Sequence, residues 1–96
     1  MDVPTAMIYI DDGNSHRDIA RYASLSPRLR PSHVTDLASE ALIGQDIHHF
    51  AFSGGDVKLR LHWAFQCIVV KVRQRTLIRR WIEKASERGL KLDRRD

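Results

Sequence analysis

Ninety-six residues, 43% hydrophobic and 29% charged, suit a single globular domain with one core and exclude a disordered chain. A single cysteine excludes an internal disulfide framework and a cysteine-based zinc cluster, and no run approaches the roughly 18 apolar residues of a membrane helix. The net charge of +4 is uneven: residues 1–70 hold six Lys/Arg against eight Asp/Glu, residues 71–96 ten against four. That asymmetry points to an anionic partner or to a solvated basic face in the C-terminal quarter.

Residues 1–5 are expected to fray. They offer neither a basic n-region nor a long apolar stretch, so no signal peptide is read there and a cytoplasmic home is expected. Ala6–Ile10 reads as a short strand ended by the turn cluster Asp11-Asp12-Gly13-Asn14. Ser15 then offers an N-cap with Asp18 three residues on, and Ile19, Tyr22 and Ala23 form an apolar stripe, so a helix is predicted from Ser15 to about Ala23. Leu25 to Pro31 is a loop, because Pro31 pushes Arg30 out of helical geometry. A second helix is predicted from Ser32 to Ile43, with Val34, Leu37, Ala38, Ala41 and Leu42 at helical spacing and Gly44 as its stop.

The sharpest local signal is a β-hairpin over residues 47–62. Gly54-Gly55 suits a two-residue turn, since glycine reaches positive φ without a Cβ clash. That register pairs Phe52 with Val57, Phe50 with Leu59 and His48 with Leu61 on a dry face, and leaves Ala51, Lys58, His49 and Arg60 on a wet, basic one. Residues 64–75 admit two readings. Ile68, Val69, Val70 and Val72 favour a strand, while one long helix from Ala64 to Arg88 is the rival. In that helix Phe65, Ile68, Val69 and Val72 would face opposite to Leu77, Ile78, Trp81, Ile82 and Ala85. A strand ending near Arg73 and a helix from about Thr76 to Gly89 is therefore preferred. Cys67 and Trp81 read as packed core residues, and residues 90–96 as a loose basic tail.

The fold expected is α+β: a small, mainly antiparallel sheet around the central hairpin, packed with two helices from the N-terminal half and a C-terminal helix, in one domain over residues 1–96.

Two short stretches carry resemblances. Tyr9-Ile10-Asp11-Asp12 resembles the Tyr-x-Asp-Asp hairpin of reverse transcriptases and, with Gly13 and Asn14, is similar to the first strand and acidic turn of PIN/NYN-type nucleases. Either resemblance implies carboxylates that hold metal ions. Those enzymes need a larger palm domain or further carboxylates on later strand ends, and Asp36, Glu40, Asp46 and Asp56 are scattered. The competing reading is a polar turn that ends a strand. Asp18 to Pro27 resembles the first helix and turn of a helix-turn-helix DNA-binding unit, with Ala20 at the small inter-helix position. Arg30, Pro31 and His33 break the second half, unless Ser32–Ile43 served as the reading helix and the hairpin as a wing. His49 and His62 share a face without a third ligand, so no metal and no cofactor is expected, and no catalytic residue is assigned.

Two function classes lead. The first is a small basic, non-enzymatic regulatory or accessory protein that binds nucleic acid through Lys58, Arg60, Lys71, Arg73, Arg75, Arg79 and Arg80. The second is a protein interaction or inhibitor module, of the kind small phage and mobile-element genes encode, which docks on an acidic surface of a macromolecular partner. A homodimer through an unpaired sheet edge is compatible with both.

Overall fold

The computed structural model describes residues 5–11, 16–23, 25–26, 28–43 and 55–90. Six elements follow in chain order: β1 (Ala6–Asp11), β2 (His16–Tyr22), α1 (Pro31–Leu42), β3 (Asp56–Trp63), β4 (Gln66–Arg73) and α2 (Gln74–Glu87). The strands form one antiparallel sheet in the order β2-β1-β3-β4. The architecture is α+β as expected, with two helices among the described residues.

Alternation builds the sheet's two faces. Ala6, Ile8 and Ile10 of β1, Val57, Leu59 and Leu61 of β3, and Val72 of β4 are buried on one side. Their neighbours match across strands: Ile10 and Val70 flank Leu59, while Ile8 and Ile68 flank Leu61. Val34, Ala38 and Leu42 of α1, at i, i+4 and i+8, lie on this layer with Leu77 and Trp81 of α2. Trp81 is thus a core residue, as its spacing suggested.

The predicted helix at Ser15–Ala23 is corrected to a strand. β2 pairs with β1, and its register shifts by one residue, so that Ile8 faces Ala20 while Tyr9 faces Asp18. Ile19 is the extra residue of this β-bulge. A bulge puts Ile19 and Tyr22 on the same face at a spacing of three, and that spacing imitates a helical stripe. The helix-turn-helix resemblance falls with it, because its first helix is this strand.

The hairpin expectation is corrected as well. The run 48–53 and Gly54 lie outside the described residues, but the proposed pairing cannot hold: β3 is hydrogen-bonded to β1 on one edge and to β4 on the other. Leu59 therefore faces Ile10 and Val70, not Phe50. The face assignment within β3 stands, with Val57, Leu59 and Leu61 buried and Lys58 and Arg60 on the other side.

The strand reading of 66–73 holds and the long-helix rival fails. A two-residue turn, Ala64-Phe65, separates β3 from β4 with φ of 46° and 65°. Cys67 is corrected from core to exposed, since residues 66, 68, 70 and 72 take the helix side of β4.

α1 starts one residue before its predicted cap. Pro31 sits in the first turn, where its missing N–H is no loss, and Arg30 is extended (φ −105°, ψ 159°) as a residue before proline must be. His33 Nδ1 accepts the Arg30 N–H at 2.9 Å, the part a glutamate plays in a capping box. α2 ends at Glu87, two residues before the predicted stop at Gly89, whose φ of +74° lets Gly89 N–H reach Ser86 O at 2.9 Å and Leu90 N–H reach Ala85 O at 3.0 Å. Residues 91–96 of the predicted tail lie outside the described residues.

Tyr22 ties β2 to α1 by donating its hydroxyl to Leu37 O. Burial, reinforced by the Glu40 carboxylate and opposed by Arg88, pushes its pKa up to about 12 from an ordinary 10. The folded state keeps this proton to higher pH than the unfolded chain. Stability linked to Tyr22 is therefore complete below pH 10 and is lost as pH rises toward 12. Urea unfolding should show a Tyr22→Phe variant about 1 kcal/mol less stable at neutral pH, with a gap that narrows across that alkaline window.

Candidate nucleic-acid interface

Both helices pack on the same side of the sheet. The other side bears the second set of alternating side chains, laid out by the register in rows across the strands. Arg21, Met7, His62 and Cys67 form one row, and Asp18, Tyr9, Arg60 and Val69 the next. Asp11, Lys58 and Lys71 follow, and Asp56 beside Arg73 closes the series. No described helix lies over this face.

Charge is unevenly spread within the rows. Lys58, Arg60, Lys71 and Arg73 occupy β3 and β4 with Asp56 at the end, whereas Asp11 and Asp18 stand on β1 and β2 with Arg21. Lys58 is directly opposite Lys71, a like-charge pair that costs stability in a sheet. Among the described residues none of these four cations is paired with a carboxylate. Arg60 is half-buried, and its Nε is shielded from water with no hydrogen-bond partner among the described residues. Beside it the Tyr9 and His62 rings lie 4.9 Å apart at a tilt of 58°, an aromatic patch at one end of the basic track. Val69, 54% exposed, lies opposite Arg60 on β4.

The seven cations singled out in the sequence thus separate into groups. Lys58, Arg60, Lys71 and Arg73 come together on the open face. Arg80 turns toward α1 and pairs with Asp36 at 3.1 Å, and Arg88 pairs with Glu40 at 3.6 Å. Arg75 and Arg79 are exposed on the far flank of α2, in the helix layer. An exposed ion pair such as Arg80–Asp36 contributes about 0–1 kcal/mol, enough to orient the helix pair but small in the total.

Sequence reasoning missed Tyr9 and His62 as a pair, because nothing local says that β1 lies beside β3. It also missed Arg21, which the helix reading had placed elsewhere, and Phe65, which stands wholly exposed at the β3–β4 turn. Asp11 ends β1 as the polar-turn reading had it, while Asp12 lies outside the described residues, as do His48 and His49. Among the described residues no three of His, Cys, Asp and Glu gather as metal ligands, and no helix is long and apolar enough to cross a membrane.

Fold and face together describe a small α+β chain with one side of a four-stranded antiparallel sheet covered by helices and the other presenting a track of four cations. Compared with protein-family models, curated proteins and solved structures, the chain matches none.

Proposed function

We propose that this chain is a small non-enzymatic regulatory or accessory protein of the cytoplasm that binds nucleic acid, and that the open sheet face is its contact surface. The carrying observation is the sorting of cations: Arg80 and Arg88 pair with carboxylates of α1, while among the described residues Lys58, Arg60, Lys71 and Arg73 stand together with no ion pair to a carboxylate. A fold that tolerates Lys58 against Lys71 gains when a phosphate lies between them.

The shape favours a single strand over a duplex. An open sheet face offers no protruding helix for a major groove, whereas the Tyr9–His62 patch offers ring faces on which unpaired bases stack. Rows two residues apart lie about 7 Å from one another, so the four rows span roughly 20 Å. Phosphates then follow β3 and β4, with bases directed to the rings.

Fluorescence anisotropy with single-stranded RNA, single-stranded DNA and duplex DNA tests this. Four phosphate contacts on a single strand give a log–log salt slope of about −2.8, which is about a 50-fold loss of affinity between 50 and 200 mM salt. No binding to any polymer at the lower salt overturns the proposal, and duplex bound more tightly than either single strand overturns the choice of polymer.

A second reading has its own observation. Phe65 is fully exposed on a turn whose two residues both adopt positive φ. An aromatic displayed at such cost is the kind of anchor that protein partners bury, which suits an interaction or inhibitor module. Both readings admit a homodimer.

A further inference from the structure

We propose that two copies of this chain pair antiparallel through the outer edge of β4, joining their sheets into one of eight strands with both helix layers on the same side.

The sheet has two edges, and they differ. β2 is interrupted by its bulge and carries Arg17, Asp18 and Arg21, features that discourage edge pairing. β4 runs eight residues without bulge or proline and contains Ile68, Val69, Val70 and Val72, with its two charges, Lys71 and Arg73, confined to its C-terminal end. Its hydrogen-bonding parity can be read from its ends. Trp63 and Gln66 flank a two-residue turn, a position that exchanges both ladder bonds, and Gln74 N–H reaches Gly55 O at 3.1 Å. Residues 66, 68, 70, 72 and 74 therefore bond inward to the β3 side. The N–H and C=O groups of Cys67, Val69 and Lys71 point outward, and among the described residues no strand meets them.

This edge is complementary to itself. A two-fold axis at Val69 sets Val69 beside its own mate, Ile68 beside the mate's Val70, and Cys67 beside the mate's Lys71. No like charges are opposed, and β-branched side chains fill the centre, where cross-strand packing contributes most. The half-exposed Val69 is covered in the process.

α2 supplies an independent observation at the same edge. It packs on α1 and on β4, so it is the outer element of the helix layer on the β4 side. Arg80 and Arg88 mark the flank turned to α1. Ile78 and Ile82, with Arg75 and Arg79, form the opposite flank, which faces beyond the β4 edge. These two isoleucines are half-buried and line a shallow depression of 330 Å³ with the two arginines. A mate placed by the strand register brings its own α2 antiparallel alongside, so Ile78 and Ile82 of the two copies meet above the joined strands.

Sedimentation equilibrium at tens of micromolar tests the assignment. The wild-type chain should run at twice its mass of 11.1 kDa. Val69→Pro removes an outward N–H at a position where an edge strand accepts proline, and should halve the mass while circular dichroism stays unchanged. Ile78→Asp with Ile82→Asp should do the same from the helix layer. If Val69→Pro fails to fold, Val69→Lys replaces it. A monomeric wild type, or a dimer that survives both the strand and the flank substitutions, overturns the proposal. Ile78→Asp with Ile82→Asp leaves the open sheet face untouched, so the nucleic-acid binding of that monomeric variant reads the functional proposal separately.

Discussion

Replacing Ala64-Phe65 with Asn-Gly should raise the melting temperature by at least about 5 °C. Both residues of the β3–β4 turn adopt positive φ, 46° and 65°, and neither is glycine. For a residue with a Cβ, the left-handed region costs roughly 1–2 kcal/mol, because Cβ crowds the neighbouring carbonyl. Asn-Gly accepts that geometry and is favoured in two-residue hairpins. Removing the Phe65 ring forfeits no packing, since the side chain is fully exposed. A gain of about 1 kcal/mol moves the midpoint of a domain this size by about 4–8 °C. Thermal unfolding by circular dichroism reads the shift. An unchanged or lower midpoint would mean that the turn is not strained as described. The same variant separates stability from contact. If Phe65 is retained because it touches a ligand, affinity falls while stability rises.

That turn also shows where local reading stops. Two β-rich runs of eight residues flank it, yet Ala-Phe carries none of the Gly or Asn signals by which two-residue turns are recognised. Gly54-Gly55 had the opposite effect: a strong local signal pointed β3 at residues 48–53. The ladder instead joins β3 to β1, whose residues lie some fifty positions earlier, and to β4. Alternation along one strand fixes which face each residue takes but not which strand lies beside it. Val57, Leu59 and Leu61 were therefore legible as core and Lys58 and Arg60 as surface, while the neighbours of all five were not. The bulge at Ile19 went further and gave a strand the spacing of a helix. α2 was legible at both levels, because its apolar stripe and its Gly89 stop are properties of the helix itself.

The basic surface was legible in the same partial way. Composition located the excess of Lys and Arg after residue 70, and the ladder then divided it. Lys71 and Arg73 joined Lys58 and Arg60 from a separate part of the chain, while Arg80 was spent on Asp36. Counting charges cannot separate a cation paired between two helices from one on the open sheet face. Pairing partners can.

The sheet face and the outer flank of α2 make different predictions under charge reversal. Lys58→Glu with Lys71→Glu places two carboxylates in the middle of the proposed track, exchanges one like-charge pair for another and leaves the buried side of β3 and β4 unchanged, and circular dichroism checks that the variant folds. Arg75→Glu with Arg79→Glu makes an equal change in net charge on the helix layer. Measured by anisotropy against the single-stranded polymer that the wild type binds best, the first variant should lose about two orders of magnitude in affinity. Its salt slope should fall in magnitude by about 1.4, two single-strand contacts' worth. The second variant should stay within a few-fold of wild type with its slope unchanged. The opposite pattern, with affinity lost on α2 and kept on the sheet, would contradict the assignment of the open face.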